Sequence, residues 1–155
     1  MNFIFLGPPG AGKGTLAAKV AVEYGIPHIS TGDIFRTAIK NQTPLGVKVK
    51  AIIDSGALVS DDLTVELVKD RLSQADVANG FILDGFPRTI PQAEALEGIA
   101  KVDAVVNFDI ADEGVVERLS GRRVCKGCGQ NFHVTFLPPA KENTCDACGA
   151  ELYTR

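Results

Sequence analysis

Tryptophan is absent from this chain, and aromatic residues occupy only 6% of its 155 positions. Positive charge is not in excess either: 16 Lys and Arg stand against 19 Asp and Glu, for a formal charge of −3. A nucleic-acid binder needs a basic face, commonly interleaved with aromatic platforms, so this balance argues against nucleic acid as a partner. Long hydrophobic runs are missing, and the longest present are far too short to span a bilayer. Met1-Asn2-Phe3 leads into an apolar run without a charged leader or a small-residue cleavage site, which points to a cytoplasmic protein with no membrane partner. Internal repeats and low-complexity segments are lacking as well. What remains is 45% hydrophobic and 23% charged, with a mean hydropathy of +0.11. That composition can bury the core of one globular domain and is not that of a disordered chain.

The apolar run Phe3-Ile4-Phe5-Leu6 is followed by Gly7-Pro8-Pro9-Gly10-Ala11-Gly12-Lys13-Gly14-Thr15. A buried strand running into a glycine-rich turn and then a helix start lets several backbone amides face an anion. Lys13 supplies a mobile full charge for the outer phosphates, and Thr15 a hydroxyl near phosphate or magnesium. The pattern G-x-x-x-x-G-K-[ST] is met through Lys13 and missed by one place, because Gly14 precedes Thr15. The dinucleotide fingerprint fails, since Thr15 stands where its last glycine belongs. The segment therefore reads as a binding loop for a nucleotide's phosphate tail, against the blander reading of a glycine turn between strand and helix.

Cysteine is confined to Cys125-x2-Cys128 and Cys145-x2-Cys148. Two such turns can offer four thiolates to one tetrahedral Zn2+, and Gly129 and Gly149 suit turns in which amides approach sulfur. Disulfides are the rival reading, disfavoured inside a cell, and a redox pair is another. His133 is a further conceivable ligand, though with four cysteines it reads better as a packing or solvent-facing residue.

Strand-like segments at Phe3–Leu6, Ile26–Ile29, Phe81–Leu83 and Ala104–Phe108 have the short, continuous apolar character of strands buried on both faces. Helices are expected at Lys13–Tyr24, Ile34–Lys40, Leu45–Asp54, Asp61–Leu72, with Ser60 as its N-cap, and Asp112–Leu119. This alternation predicts an α/β doubly wound parallel sheet. Residues 1–29 and 60–120 form the expected core, 30–59 a first insertion of two short helices, and 121–155 a second, cysteine-bearing insertion with β-like pieces such as His133–Phe136. With little apolar content of its own, the second insertion needs a metal for stability.

Asp84-Gly85-Phe86-Pro87-Arg88 follows the third strand. An acidic residue at a strand's C-terminal end beside a phosphate loop is placed to orient magnesium or its waters, and Arg88 to contact phosphate bidentately. Ser30-Thr31-Gly32-Asp33 precedes a helix bearing Arg36. Thr31 is either that helix's cap or, with Arg36, a contact to a second phosphorylated substrate. Arg118, Arg122, Arg123 and Arg155 lie on the stems of the cysteine insertion, where a flap closing over polyphosphate would carry them.

These motifs, in order and in register from Met1 to Arg155, resemble the adenylate kinases, specifically the bacterial type with a long zinc-bearing lid. The resemblance implies reversible transfer of the ATP γ-phosphoryl group to AMP, with Mg2+ as ATP's companion and Zn2+ as a structural staple. Gly10, Ala11, Gly12, Lys13, Gly14 and Thr15 would hold the ATP phosphates, with Arg118, Arg122, Asn131 and Phe132 completing that site. Thr31, Arg36, Ala57, Leu58, Val59, Gly85, Phe86, Pro87, Arg88, Gln92 and Arg155 would hold AMP, Gln92 reading the adenine edge. Lys13, Arg88, Arg122 and Arg155 would be catalytic, Asp84 and Asp33 would organise magnesium through water, and Cys125, Cys128, Cys145 and Cys148 would hold zinc. The complete protein would be a monomer. By the same resemblance, roughly the last quarter of the family's length would follow Arg155, bringing a further lid arginine, a strand, a long helix and a loop for the ATP adenine. Alternatives are a kinase for UMP or CMP, a chain that binds nucleotide without turnover, and a zinc ribbon.

Overall fold

The computed structural model describes residues 1–154. They gather into two compact units, Met1–Gly7 with Gly12–Phe108, and Pro8–Ala11 with the chain from Asp109 onward.

In the first unit the strands β1 (Asn2–Leu6), β2 (His28–Ser30), β3 (Phe81–Asp84) and β4 (Ala104–Asn107) form a parallel sheet in the order β2-β3-β1-β4. The helices are α1 (Lys13–Tyr24), α2 (Thr31–Lys40), α3 (Pro44–Asp54), α4 (Asp61–Leu72) and α5 (Ile90–Glu97). Alternation along the central strands buries both sheet faces. Ile4 and Leu83 join Ile29, Val49, Leu67 and Phe86 on one side, while Phe5 and Ile82 join Ala17 and Ile26 on the other. That is the reason these strands read as unbroken apolar runs. β4 departs from the expectation: it is an edge strand with β1 as its one neighbour, and all four of its residues are exposed.

The starts of α2 to α5 are written in side chains. Ser30, Thr43, Ser60 and Thr89 each accept the backbone N–H of the residue three places on, namely Asp33, Gly46, Leu63 and Gln92. Capping at Ser30 carries α2 back to Thr31, three residues earlier than periodicity predicts. α5 is absent from the sequence reading, because eight residues with only Gln92 and Leu96 buried give too short an apolar period. Its signal was the Thr89 cap with Pro91 in the first turn.

The second unit holds α6 (Asp112–Ser120) and a small antiparallel sheet, β6-β5-β7, of β5 (Arg122–Cys125), β6 (Asn131–His133) and β7 (Leu152–Tyr153). Its core is Cys125, Phe132, Cys145 and Leu152. The β-like piece expected over His133–Phe136 is displaced, since β6 ends at His133. There the ring Nδ1 accepts the N–H groups of Thr135 and Phe136 at 3.0 and 3.1 Å, which turns the chain out of the ladder. No described helix is long and apolar enough to cross a membrane.

Candidate nucleotide and metal sites

In the first unit, chemistry gathers at the C-terminal ends of β1 and β3. Gly12 is the N-cap of α1 and has no side chain to cap it, in contrast to the four helices capped by Ser or Thr. A helix N-terminus that no side chain caps suits an anion through its dipole. Lys13 opens the helix, and its Nζ donates to the Gly7 carbonyl at 2.8 Å.

Asp84 ends β3. Its Oδ2 lies 3.3 Å from His28 Nε2, and a methyl group placed on Gly14 would sit 3.7 Å from the same oxygen. The carboxylate thus stands against the first turn of α1, an arrangement that suits a hard cation bound through oxygen ligands and water. Asp33 stands differently. Its carboxyl oxygens take the Arg36 guanidinium at 2.6 Å and the Ser30 hydroxyl at 2.9 Å. Partial burial works to raise its pKa, but the Arg36 and Ser30 bonds outweigh it and hold the carboxyl below the usual carboxylate range.

Thr31 is not the cap of its helix. Ser30 is the cap, while Thr31 is 4% exposed, donates to the Gly85 carbonyl at 3.1 Å and accepts from Arg88 Nη2 at 3.1 Å. Arg88 Nε also donates to the Gly85 carbonyl, at 2.7 Å. Gly85 sits at φ 78°, and a Cβ there would fall 2.9 Å from Arg88 Nη2 and 3.2 Å from Thr31 Oγ1. The three residues form one polar knot, and the positive φ at its centre is one that side-chain-bearing residues rarely adopt. Phe86 is fully buried in the core, and the Phe86–Pro87 peptide is cis. Gln92 accepts the Arg88 backbone N–H and donates to Asp61. Ala57, Leu58 and Val59 lie between α3 and α4 outside regular structure, Leu58 almost wholly exposed and Val59 half-buried against the core.

Two neighbours of this knot carried no functional signal in the sequence. His28 read as part of a strand, and Asp61 only as the first residue of a helix capped by Ser60. Contacts across 56 and 31 residues bring them to Asp84 and Gln92.

In the second unit Arg118 Nη1 donates to the Gly10 carbonyl at 3.4 Å, and the Ala11 N–H to the Pro8 carbonyl at 3.3 Å. Arg122 makes a fork onto Asn131 Oδ1 through Nε at 3.0 Å and Nη2 at 2.7 Å. Phe132 is buried beneath the sheet. Arg155 lies outside the described residues.

The four cysteine sulfurs all lie within 4.8 Å of one another. Cys125 and Cys148 approach to 3.4 Å and Cys128 and Cys145 to 3.6 Å. Disulfide sulfurs stand about 2.0 Å apart, so these are free thiols, whereas ligands of a tetrahedral Zn2+ stand about 3.8 Å apart at Zn–S of about 2.3 Å. The donor set fits such an ion. The amides of Cys128 and Gly127 donate to Cys125 Sγ, and with a hydrogen bond from Cys148 they hold the Cys125 thiol down at about 6. The Gln130 amide pulls Cys128 the same way but is outweighed by bonds to the other three thiols, which push it up to about 12. Gly129 and Gly149 take φ of 76° and 72°, as the two knuckle turns require. His133 packs on Phe136, ring centroids 4.5 Å apart, and stands outside the cluster.

The sequence model of the adenylate kinase family matches residues 5–149. The chain is 68% identical over 155 residues to an adenylate kinase of Treponema denticola, covering all of this chain and 74% of that protein. Adenylate kinases of Carboxydothermus hydrogenoformans and Bacillus pumilus are 56% and 54% identical over 161 and 160 residues. This chain is covered in full in both, which are themselves covered to 75% and 74%.

Proposed function

This chain belongs to the adenylate kinase family, a family of phosphotransferases, and on that premise we propose that it moves the γ-phosphoryl group of ATP reversibly to AMP, giving two ADP. The observation that carries the proposal is the grouping, in one unit, of the open α1 N-terminus with Lys13, the Asp84 carboxylate, and the Thr31–Gly85–Arg88 knot with Gln92 beside it.

The acceptor is already an anionic phosphate at neutral pH, so no strong general base is needed. Catalysis then consists of in-line placement and of cations where charge spreads in the transition state. Gly10 through Thr15 cradle the ATP phosphates, with Lys13 at the transferred group. Arg118 meets the ATP base, and Arg122, Asn131 and Phe132 complete that side. Thr31, Arg36, Ala57, Leu58, Val59, Gly85, Phe86, Pro87, Arg88, Gln92 and Arg155 hold AMP, with Arg88 on its phosphate and Gln92 on its base. Asp84 and Asp33 would hold, through water, the Mg2+ carried with ATP, which would offset phosphate charge. Cys125, Cys128, Cys145 and Cys148 would hold Zn2+, which would supply folding energy and no chemistry. Residues 30–59 serve as the AMP-binding insertion and 121–155 as a lid that excludes water, which would otherwise take the phosphoryl group. The 1–29 and 60–120 stretches are the core, and a cytoplasmic monomer is the form in which it works.

The test is ADP formation from ATP, AMP and Mg2+ by the 155-residue chain. Turnover that falls by about 100-fold or more in Lys13→Met supports the reading. Nucleotide binding without any ADP formation would overturn it for this chain.

A further inference from the structure

Gln92 is 5% exposed, and its amide is gripped at both ends. Oε1 accepts the Arg88 backbone N–H at 2.8 Å, while Nε2 donates to Asp61 Oδ1 at 2.6 Å. The other Asp61 oxygen accepts the Thr89 hydroxyl at 2.8 Å, and Thr89 in turn caps α5, the helix that bears Gln92. A primary amide offers two N–H donors and two lone pairs. The two bonds use one of each, which leaves one N–H donor and one lone pair for a ligand.

That pair is complementary to adenine. Adenine offers its exocyclic N6–H donor beside a ring-nitrogen acceptor, and a Gln amide can take both at once. On the N1 edge a 6-oxo purine presents the O6 acceptor beside the N1–H donor, the reverse of adenine, so it requires the amide turned over. Turned over, Oε1 would face the Asp61 carboxylate, which only accepts, and an N–H would face the Arg88 N–H, which only donates. Both contacts would be repulsive in a buried place, where unpaired polar groups are most costly.

We propose that Asp61 is a specificity-determining residue: by holding the Gln92 amide in one orientation it makes the site accept 6-amino and reject 6-oxo purine monophosphates. Asp61 acts through Gln92 and is a positioning residue. The inference rests on Gln92 being the residue that faces the AMP base, so the experiment separates the two.

Dissociation constants for AMP and for IMP, its 6-oxo counterpart, are measured by calorimetry on the 155-residue chain as wild type, Asp61→Asn and Gln92→Leu. Asn keeps the shape of Asp61, and because the Thr89 hydroxyl can either donate or accept, the Asn amide can turn to pair with Gln92 in either orientation. The expected result is a wild-type preference for AMP that shrinks about tenfold or more in Asp61→Asn, with ATP affinity unchanged, and that collapses in Gln92→Leu. A wild type without preference, or a Gln92→Leu chain that keeps it, overturns both the base reading and the lock. A collapse in Gln92→Leu with the wild-type ratio retained in Asp61→Asn overturns the lock alone. Equal weakening of AMP and IMP in Asp61→Asn assigns Asp61 a merely structural part and overturns it too. Should Asp61→Asn not fold, the wild-type chain decides by NMR. A single Gln92 amide resonance pair with one proton slow to exchange supports the lock, and two pairs or fast exchange of both protons overturns it.

Discussion

Gly85 shows how one residue without a side chain sets a site. Its carbonyl takes both Thr31 Oγ1 and Arg88 Nε, and its φ of 78° belongs to a region that side-chain-bearing residues rarely enter. Gly85→Val should displace Arg88 and weaken AMP binding about tenfold or more, with the whole knot lost rather than one bond, while ATP binding stays near wild type. Calorimetric titration with each nucleotide checks this, and equal losses for both would speak against it. Asp33 yields a weaker prediction because its pair with Arg36 is exposed. Its carboxyl is held low, so the stabilisation is complete above the ordinary carboxylate range and disappears as pH falls through the lowered value. Exposed pairs contribute about 0–1 kcal/mol. Asp33→Asn should therefore lower the melting temperature slightly at neutral pH and leave it unchanged in acid strong enough to protonate the carboxyl.

At the scale of elements, burial separates strands that look alike in sequence. Phe81-Ile82-Leu83 and Ala104-Val105-Val106 are both short apolar runs, yet Ile82 and Leu83 are completely buried and Val105 is 54% exposed. Leu83→Ala should cost about 2–5 kcal/mol of unfolding free energy, and Val105→Ala about 0.5 kcal/mol or less, as read from urea titrations. Element type was largely legible, since helices α1 to α4 and α6 follow from apolar spacing and from capping residues such as Ser60. α5 was not, being too short for its period to register. Nor was the end of β6, which a side-chain-to-backbone bond at His133 decides. Periodicity reports which face an element buries, and it is silent where two buried residues or one ring nitrogen settle the matter.

For the molecule as a whole, two units with separate cores imply two separable stabilities. The first unit has an extended apolar core on both sheet faces, while the second rests on four residues, two of them cysteines. Zinc analysis should give about one ion per chain, the number one four-thiolate site takes. Chelation should then strip hydrogen-exchange protection from β5, β6 and β7 and leave β1 and β3 protected. Equal loss in both units would argue against a purely local staple. The family tie and the phosphotransferase activity it brings belong to this scale as well, because they rest on matches running the length of the chain.

Local sequence alone determined the glycine-rich turn between β1 and α1, the four-thiolate set and the strand–helix alternation. Each of these is a feature of spacing within some twenty-five residues, and backbone geometry ties spacing to shape at that range. Tertiary structure decided that Ser30 rather than Thr31 caps α2, and that Thr31 belongs to Gly85 and Arg88. It decided that His28 stands against Asp84 and that Asp61 grips Gln92. Those pairings join residues 31 to 57 positions apart. Hydrogen bonds at that separation exist only once the parallel sheet has set β2 beside β3 and packing has set α4 against α5, so no local pattern could announce them.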